Sequence, residues 1–579
     1  MNDRQLELID SRRLTGKNLL WDLPSAILDI QVSGYDKNLI IAKWQNYVRK
    51  LQQAVGWEEQ ASISRVFDTG INLAISAPLD ALYAAVKLNE AAWMLTKNSL
   101  QRELAVEDPL DIDFDTVVTT IKRAIADEAN PALISLVTAA ELQKSPYLWD
   151  DDEFSLGFGP TAQTWPIDQL PNVKDLNWSK YQKVPVIYVT GTNGKSTTVR
   201  ILSQIFKQAG KSCGVTSTDF IRVGDRIIDS GDYSGPGGAR MLLRENAVEI
   251  AVLEVARGGL LRRGLPLANV DGAIITNLAE DHLGQYGIND IAALTHTKFI
   301  VAKGLAAGVP LVLNADDAEI VKYQKANAAQ LTDNICWFSL TRQHPLLKEQ
   351  RQLNKSMCFS DNGYLYYEYT DAAGSVQIDK IVAIIKIPMT LQGAAQHNVQ
   401  NALAAIALTK CLGVASQHIA IALQQFKSDG QDNPGRGNFY WLNGATVIVD
   451  FAHNVHSMQA MADTLNALPA SKKWLLLGHA GDRSDAEITA LTQCIMQIQP
   501  DHLVITENPE HLRGRALQEI PTLISNAAIK CGMHSAQIEY SATPSSGVQM
   551  IVSSIEAGDL VFLMVLSERD KIVNILKRD

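Results

Sequence analysis

Short apolar runs, each followed by a helical pattern, recur along the chain from residue 184 onwards. The run at residues 184–190 leads into a glycine-rich turn and then a helical pattern, and further runs follow at 249–253, 272–275 and 309–313. Continuous apolar runs of this length are typical of strands buried on both faces, and strands that alternate with helices are typical of a parallel sheet. The pattern therefore predicts an α/β fold with a parallel sheet in the middle of the chain.

The same alternation returns near the C-terminal end. Apolar runs at residues 446–449, 473–477, 503–505 and 560–565 end in polar residues and are separated by helical patterns. This order predicts a second doubly wound, Rossmann-like α/β domain. The stretch at 430–437, which contains Asn433-Pro434-Gly435-Arg436-Gly437, predicts a hinge in front of it.

The first part of the chain gives a weaker pattern. Apolar residues recur at helical spacing from residue 79 to 93 and from 114 to 125, which predicts a mixed α+β, mostly helical domain. The sequence Arg12-Arg13-Leu14-Thr15-Gly16-Lys17-Asn18 predicts a solvated basic loop, with contact to an anionic ligand as the alternative. Residues 156–183 are rich in Gly, Pro, Asn and Asp and predict a linker.

The length of 579 residues is too great for one hydrophobic core. We therefore predict three domains. The mixed α+β domain covers residues 1–172, the central parallel-sheet domain covers 173–429, and the C-terminal Rossmann-like domain covers 430–579.

Composition narrows the class of function. A formal net charge of −11 disfavours binding to nucleic-acid phosphates, and six scattered cysteines without C-x-x-C pairs predict reduced thiols. The first residues lack a basic segment followed by an apolar core, and no apolar run approaches membrane-spanning length. We expect a cytoplasmic protein with no nucleic-acid or membrane partner. A homo-oligomer is compatible with this sequence.

The most specific chemical motif is Gly191-Thr192-Asn193-Gly194-Lys195-Ser196-Thr197, between a predicted strand and a predicted helix. In such a phosphate loop (P-loop), backbone N–H groups and the helix N-terminus surround phosphate oxygens, the lysine reaches the outer phosphates, and a hydroxyl binds Mg²⁺. The general pattern has Gly where Val189 stands, and the alternative is a chance glycine turn. We expect these seven residues to bind ATP.

Polar residues follow two of the central apolar runs. Glu254 ends one run, and Glu280-Asp281-His282 comes shortly after the next. Because ligands of open α/β sheets lie beyond the carboxyl ends of the strands, we expect Glu254 and His282 to converge on the phosphate loop. Ser196 and Glu254 would bind Mg²⁺, with His282 as a softer ligand. Either side chain taken alone is more often an ordinary strand-end carboxylate or histidine.

Two amides open an alanine-rich helical pattern that continues to residue 410. Asn398 and Asn401 are spaced to lie on one helical face, which suits hydrogen bonds to a nucleotide base or to a neighbouring loop. Helix capping is the alternative from the residues alone.

These motifs resemble those of the Mur ligase superfamily of ATP-dependent amide-bond-forming enzymes, from about residue 184 to the C-terminal end. The most specific similarity is to the Mur-like half of cyanophycin synthetases, and Gly16-Lys17-Asn18 resembles the start of that family's N-terminal domain more weakly. The matching motifs are Thr218-Asp219, Gly231-Asp232, Gly235-Pro236, Ala239-Arg240, Leu253-Glu254, Ala256-Arg257-Gly258-Gly259, Leu261-Arg262-Arg263-Gly264, Thr276-Asn277, Glu280-Asp281-His282-Leu283, Asn433-Pro434-Gly435-Arg436, Asp450-Phe451-Ala452-His453-Asn454 and Leu512-Arg513-Gly514-Arg515.

The resemblance implies roles for individual residues. It implies a first magnesium ion at Ser196 and Glu254, and a second at His282 and Lys298, where these ligases often carry a carbamoylated lysine. A carbamate offers carboxylate-like oxygens to a metal, whereas an ammonium cannot; a solvated lysine is the alternative. The implied catalytic residues are Lys195, Glu254, His282, Lys298 and Arg436. The implied nucleotide contacts beyond the loop are Asn398, Asn401, Arg436 and Asp450. The implied substrate contacts are Asp219, Arg257, His453, Asn454, Arg483 and Arg513.

The reaction implied is transfer of the terminal phosphate of ATP to a substrate carboxylate, followed by attack of an amine on the acyl phosphate. The substrates would be an amino acid and an amino-acid or aspartyl-peptide carboxylate. Cyanophycin synthetases also carry an ATP-grasp domain in front of the Mur-like part, and about 180 residues precede the loop here, too few for both pieces. A poly-glutamate or folyl-type ligase and a non-catalytic nucleotide-binding partner of another synthetase are the alternatives.

Overall fold

The computed structural model describes residues 5–104, 111–430 and 432–577. The described residues form four sheets, which have four, three, eleven and six strands in the order in which they occur along the chain. We call the parts built on the four-, eleven- and six-stranded sheets the N-terminal, central and C-terminal units. Among the described residues, no helix has both the length and the apolar character that a membrane crossing requires.

The N-terminal unit pairs an antiparallel sheet with four helices. Its strands, in the order β1-β2-β4-β3, are β1 Gln5–Leu14, β2 Ser25–Ser33, β3 Ser62–Phe67 and β4 Gly70–Ser76. Its helices are α1 Lys37–Val55, α2 Leu82–Leu104, α3 Phe114–Glu128 and α4 Pro131–Leu142. Trp44, Leu28 and Ile30 are buried between sheet and helices. The mixed α+β prediction is confirmed, but four strands stand where mostly helices were expected.

The segment predicted to be a linker is partly folded, so that prediction is wrong. Strands β5 Tyr147–Trp149 and β6 Glu153–Leu156, which lie before the segment or end at its first residue, form a small antiparallel sheet with β7 Gln163–Pro166, which lies inside it. Phe154 and Leu156 are buried against Leu136 of α4 and Tyr181. The many turn residues in this segment surround short strands, which composition alone does not separate from a linker.

The central unit is an eleven-stranded sheet with helices on both faces. The strands, listed in chain order, are β8 Val186–Thr190, β9 Cys213–Thr216, β10 Phe220–Val223, β11 Arg226–Ser230, β12 Ile250–Glu254, β13 Gly272–Ile275, β14 Leu311–Asn314, β15 Ile335–Ser339, β16 Met357–Asp361, β17 Tyr364–Thr370 and β18 Val376–Ala383. The helices are α5 Lys195–Gln208, α6 Pro236–Leu243, α7 Arg257–Arg263, α8 Ile291–Lys298, α9 Ala318–Ala326, α10 Pro345–Gln352, α11 Gln396–Cys411 and α12 Ser416–Gln425.

The order of strands places the phosphate loop in the middle of the sheet. The sequence of neighbours is β11-β10-β9-β12-β8-β13-β14-β15-β16-β17-β18, and the seven strands from β9 to β16 in this order are parallel. Strand β8 therefore lies between β12 and β13. The strand tips that carry Glu254 and Thr276 flank the loop as a result, because parallel strands end at the same edge.

The C-terminal unit is a second open α/β sheet, as the apolar pattern predicted. Its strands are β19 Asn438–Leu442, β20 Ala445–Asp450, β21 Lys473–Leu477, β22 His502–Thr506, β23 Ile538–Ser541 and β24 Leu560–Met564. Its helices are α13 Val455–Asn466, α14 Asp485–Ile495, α15 Glu519–Lys530, α16 Pro544–Val552 and α17 Arg569–Leu576. The order is β19-β20-β24-β21-β22-β23, with β19 as an antiparallel edge strand.

The basic segment near the N-terminus docks on the central unit and is not a solvated loop. Backbone N–H groups of Thr15 and Gly16 donate to the Arg263 carbonyl at 2.9 and 3.1 Å, and Leu265 N–H donates to Lys17 at 2.7 Å. Arg12 is 8% exposed, pairs with Asp29, and donates to the Leu261 carbonyl at 3.0 Å. This contact fixes the N-terminal unit beside the end of α7.

Candidate active site

The phosphate loop joins β8 to α5. Hydrogen bonds to Asn277, which follows the neighbouring strand β13, hold the loop in shape. Thr192 N–H donates to the Asn277 carbonyl at 2.8 Å, and Asn193 N–H donates to its Oδ1 at 2.9 Å. Gly194 caps α5 with a φ of 79°, where a side chain would be strained and a Cβ would lie 2.3 Å from Asn401 Oδ1. Glycine is therefore required at this position by both conformation and space.

Two lysines lie on the loop. Lys195 Nζ donates to the Thr192 carbonyl at 2.8 Å, and Lys298 Nζ donates to the Gly191 carbonyl at 2.9 Å. Burial lowers the pKa of Lys298 well below its ordinary value, and the charge on Lys195 lowers it further. Lys298 is 4% exposed, so the alternative of a solvated helix lysine is wrong.

Glu254 ends β12 directly beside the loop, in register with Val189 of β8. The residue is 2% exposed, and neither carboxylate oxygen has a hydrogen-bond partner among the described residues. Leaving a carboxylate buried and unpaired costs several kcal/mol, so the arrangement is consistent with a cation as the missing partner. These oxygens fit a hard divalent ion such as Mg²⁺. Ser196, on the first turn of α5, is the predicted second protein ligand.

The donor groups of Asp281, His282 and His453 form a cluster in which the potential ligand atoms all lie within 4.8 Å of one another. Asp281 and His282 follow β13 in the central unit, whereas His453 follows β20 in the C-terminal unit. Arg257 donates to the His282 carbonyl at 2.7 Å and to the Gln285 side chain at 2.6 Å. The predicted substrate contact Arg257 thus supports the loop that carries His282.

A cavity of about 100 Å³ lies between the phosphate loop, α11 and the start of the C-terminal unit. Asn398 donates to the Met389 carbonyl at 2.9 Å, and Asn401 donates to Asn398 Oδ1 at 3.2 Å, so both amides brace their surroundings as well as line the cavity. Eight residues that the sequence predicted to bind nucleotide or substrate line this cavity: Asn193, Gly194, Thr197, Asn398, Asn401, Arg436, Asp450 and His453.

Arg436 and Asp450 face this cavity from the C-terminal unit. The Arg436 guanidinium lies 5.1 Å from the centre of the Phe451 ring, and its buried Nε has no hydrogen-bond partner among the described residues. Burial raises the pKa of Asp450 to about 6, although the positive charge of Arg436 opposes the rise. Asp450 Oδ2 accepts from Gly437 N–H at 2.6 Å, which ties the predicted hinge to β20.

Sequence reasoning missed a buried polar group beneath the loop. Arg200 of α5 is 1% exposed, donates to Asn433 Oδ1 at 2.7 Å, and forms an ion pair with Asp219. Asp219 also faces Arg569, at 3.6 Å. The predicted substrate contact Asp219 therefore lies in an ion-pair network. A charged residue inside the helical pattern after the loop was the available signal, but the pattern does not show which face is buried.

Sequence reasoning also missed His397, at the start of α11. Its side chain lines the cavity, and its Nδ1 has no partner among the described residues. Burial lowers its pKa to about 4, so the imidazole is neutral near pH 7. Its place directly before Asn398 was the available signal.

The other predicted substrate contacts lie around the same edge. Asn454 exchanges two hydrogen bonds with Asn193, at 3.0 and 3.2 Å, which joins the C-terminal unit to the phosphate loop. Arg483 lies 3.8 Å from Glu487 on α14. Burial lowers the pKa of His453 to about 4, and the charge of Arg483 adds to this effect. Arg513 is exposed on the neighbouring loop, with a φ of 50°. The predicted substrate roles of these residues stay predictions.

Two family models match the chain: the Mur ligase middle domain over residues 189–409, and the Mur ligase glutamate ligase domain over residues 435–564. Together they span more than half of the sequence. The chain belongs to the Mur ligase family. The predicted family and α/β fold class are confirmed, with the phosphate loop at the start of the Mur ligase middle domain.

Individual relatives of this chain include cyanophycin synthetases and a ligase of another kind. The chain is 33% identical over 347 residues to the cyanophycin synthetase of Geminocystis herdmanii, a match that covers 60% of this chain and 38% of the relative. It is 23% identical over 342 residues to a UDP-N-acetylmuramoyl-L-alanyl-D-glutamate--2,6-diaminopimelate ligase of Bacillus velezensis, covering 57% of this chain and 64% of that protein. The chain thus spans less than half the length of the cyanophycin synthetases that it matches.

A solved structure of E. coli FolC with DHPP and ADP is 18% identical to this chain. The match covers 68% of this chain and 88% of FolC, with a TM-score of 0.49.

Proposed function

We propose that this Mur ligase is an ATP-dependent amide ligase that works through an acyl phosphate. The observation that carries the proposal is the buried, unpaired carboxylate of Glu254 next to a phosphate loop with two lysines. A buried anion beside two cations suits a site that binds a metal ion together with phosphate groups. The similarity to cyanophycin synthetases supports an amino-acid or peptide carboxylate and an amino acid as substrates.

The chain's own residues would perform binding and positioning. The N-terminal end of α5 and Lys195 would hold the outer phosphates of ATP, while Arg436 would contact them from the C-terminal unit. Bound at Ser196 and Glu254, Mg²⁺ would neutralise charge on the transferred phosphoryl group. Transfer of that group to the substrate carboxylate releases ADP, and attack by the amine releases phosphate and leaves an amide. No protein nucleophile is needed.

Lys298 would contribute as a carbamate at the second metal position. Its Nζ is buried on the phosphate loop, where the modification would replace a cation with oxygen donors. Burial of the lysine supports this assignment, since a solvated side chain could not hold a fixed ligand position.

Closure of the C-terminal unit would bring the amine to the acyl phosphate and keep water out. The cavity of about 100 Å³ is smaller than the roughly 300–1,000 Å³ of small-molecule sites. ATP entry would therefore require the two units to separate around residues 430–437, of which residue 431 lies outside the described part. We propose domain boundaries near residues 172 and 429, and a cytoplasmic location where ATP is supplied.

The test is ATP turnover with pairs of amino acids and aspartyl or glutamyl peptides, with ADP and the amide product identified by mass spectrometry. Lys195→Ala is expected to lower product formation by about 100-fold or more, because it removes a charge that stabilises the transferred phosphoryl group. Lys207→Ala is the matched control, since Lys207 lies on the same helix but pairs with Asp225 at the surface.

Product formation by Lys195→Ala at the wild-type rate would contradict the site. ADP release that no carboxylate and amine pair influences would contradict ligation and favour the non-catalytic alternative. Products with glutamyl substrates alone would favour the poly-glutamate or folyl-type alternative.

A further inference from the structure

We propose that Arg65 of the N-terminal unit is a positioning residue for the active site, because it holds the loop of residues 281–288 in place. This 281–288 loop follows β13 and carries Asp281 and His282, whose donor atoms lie within 4.8 Å of those of His453. The inference rests on the proposed function in one respect, since the reaction is what makes the position of this loop important. It goes beyond that function by giving the N-terminal unit a part in the reaction.

The 281–288 loop has a backbone conformation that costs free energy. Four of its residues, His282, Gly284, Tyr286 and Gly287, have φ values between 50° and 89°, in the left-handed region. Two of the four are not glycine, and the left-handed conformation costs each such residue roughly 1–2 kcal/mol. A backbone of this kind persists where surrounding contacts enforce it, so the contacts of the loop with its neighbours determine its position.

The central unit supports the first part of the loop. Arg257 of α7 donates to the His282 carbonyl at 2.7 Å and to the Gln285 side chain at 2.6 Å. The next two residues, Tyr286 and Gly287, lie against the N-terminal unit. The loop is therefore held between two units of the chain.

Arg65, on strand β3, donates to the backbone of these two residues. Its Nη2 lies 3.1 Å from the Tyr286 carbonyl oxygen and 2.7 Å from the Gly287 carbonyl oxygen. A hydrogen bond from a charged group stabilises a protein by about 1.5–3 kcal/mol, and a guanidinium stays charged throughout the physiological pH range. The two bonds together are at least comparable to the cost of the two left-handed non-glycine residues. Without Arg65, the loop would be free to relax.

A buried polar network fixes the Arg65 side chain itself. Its Nε donates to Asn72 Oδ1 at 2.9 Å, and Asn72 donates to Asp29 at 2.6 Å. Asn72 and Asp29 are 2% and 5% exposed. Asp29 also pairs with Arg12, whose guanidinium lies 4.8 Å from the centre of the Tyr286 ring. The network thus contacts the loop at two points and joins them through the interior of the N-terminal sheet.

Close packing at Gly287 prevents the loop from shifting towards the N-terminal unit. A Cβ on Gly287 would lie 2.6 Å from the Phe67 ring and 2.7 Å from Arg65 Nη2. Gly284 of the same loop has nothing within 4 Å of a Cβ among the described residues. Because both glycines have a positive φ, alanine strains the backbone at either position. At Gly287 it would also collide with the N-terminal unit.

The first experiment compares Arg65→Ala with Arg49→Ala, which changes an exposed arginine on α1 of the same unit. In the nucleotide-free chain, Arg65→Ala is expected to raise amide hydrogen exchange at residues 281–288 by about tenfold or more, since two hydrogen bonds are lost. The kcat for ADP formation is expected to fall by about 10–100-fold, because a small misplacement of reacting groups is enough for such a loss. The KM for ATP should stay unchanged, because Arg65 does not contact the phosphate loop. Arg49→Ala is expected to behave as the wild type does.

The second experiment guards against a folding defect in Arg65→Ala. Gly287→Ala is expected to raise exchange in the loop and to lower kcat more than Gly284→Ala does, because the backbone strain is shared and the collision with Phe67 is not. Wild-type exchange and kcat in Arg65→Ala would overturn the inference. Faster exchange with an unchanged kcat would overturn it too, as would equal effects of the two glycine substitutions.

The two proposals fail separately, because hydrogen exchange requires no substrate. Ligation that depends on Lys195, together with wild-type behaviour of Arg65→Ala, would refute this inference alone. A wild-type chain that forms no amide product would refute the proposed ligase activity, and loop exchange that still depends on Arg65 would confirm that this residue holds the loop.

Discussion

Two ionisable residues of opposite charge, Lys298 and Glu254, are buried at the phosphate loop. Burial disfavours the charged form of Lys298, whereas Glu254 is enclosed with both oxygens unpaired. Neither state is stabilising for the protein by itself. The Glu254 oxygens have no described protein partner to replace their lost hydration, and Lys298 replaces its hydration with a hydrogen bond to a neutral carbonyl, that of Gly191. Both residues lie at the phosphate loop, so a ligand bound there would offset this cost to the stability of the folded chain.

His479 in the C-terminal unit is another buried ionisable residue, and protonating its buried side chain costs free energy. It is 2% exposed, Nε2 has no partner among the described residues, and burial, with a smaller effect of Arg483, lowers its pKa to about 3. The unfolded value is near 6.5, so the unfolded chain takes up a proton that the folded chain does not. The contribution of the neutral His479 to the free energy of unfolding is therefore complete above about pH 6.5 and is lost as the pH falls towards 3.

His479→Gln is expected to make the free energy of unfolding less dependent on pH. The difference in the free energy of unfolding between pH 7 and pH 4.5 should be smaller in the variant by about 2–3 kcal/mol, at about 1.4 kcal/mol per pKa unit. Urea unfolding of both proteins at several pH values measures it. The same pH dependence in the two proteins would show that His479 is protonated without penalty in the folded chain.

At the scale of single residues, sequence reasoning found what a local motif determines. The positions of Lys195 and Glu254 at the phosphate loop agree with expectation, because a loop pattern and a strand end fix their neighbourhoods, whereas their roles stay predictions. Arg200 and His397 were missed because their role depends on which helix face the fold buries. Asp219 was assigned to substrate, and its pairing with Arg200 and Arg569 appears only when three segments are brought together.

At the scale of elements, strand β1 does more than complete a sheet. The chain that leaves it hydrogen-bonds to the end of α7 and passes so close that a Cβ on Gly16 would lie 2.1 Å from the Leu265 carbonyl oxygen. Because this segment is rich in polar residues, the sequence predicted neither strand β1 nor the contact with α7. Arg12 and Arg13 suggested a solvated loop, yet they lie in β1, where Arg12 pairs with Asp29 across the sheet.

Gly16→Ala is expected to loosen the N-terminal unit from the central unit. Backbone cannot move aside as a flexible side chain can, so the added methyl group should break the hydrogen bonds to Arg263 and cost about 1–3 kcal/mol. Limited proteolysis and thermal unfolding measure the effect. Gly237→Ala is the control, because nothing lies within 4 Å of a Cβ built there. Equal proteolysis of both variants would mean that this contact does not hold the unit.

The apolar pattern predicted the strands in the middle of the two α/β sheets, but it missed the outer strands of the central sheet and the strands of the N-terminal unit. A strand such as β12, buried on both faces, is a continuous apolar run, whereas β1 has polar residues on an exposed face and no regular alternation. The short strands β5 to β7 lie among turn residues and give too few positions for a pattern.

At the scale of the whole molecule, the C-terminal unit closes directly on the phosphate loop. Asn193 and Asn454 exchange hydrogen bonds, and Asn433 lies against Arg200 and Thr197 beneath the loop. Both contacts come from residues at or near the start of the C-terminal unit. The position of that unit is therefore linked to the conformation of the loop.

Asn454→Ser tests this link. Serine retains the N-cap of α13 but is too short to reach Asn193, so two hydrogen bonds between the units are lost. At about 0.5–1.5 kcal/mol each, their loss should raise amide hydrogen exchange at residues 191–194 by about tenfold in the nucleotide-free chain. Thr543→Ser, an N-cap change at α16, is the control. Unchanged exchange in Asn454→Ser would mean that the pair does not restrain the loop.

The chain crosses from the central to the C-terminal unit at Asn433, a residue with no exposed surface. A rotation about that crossing displaces each atom in proportion to its distance from the axis. The phosphate loop, packed against Asn433, would hardly shift, while the far edge of the sheet at β23 would travel furthest. In the separation of the units proposed above, the distal edge would thus travel much further than the parts next to the loop, and a bulky group attached at that edge would add more viscous drag to the motion than the same group placed near Asn433.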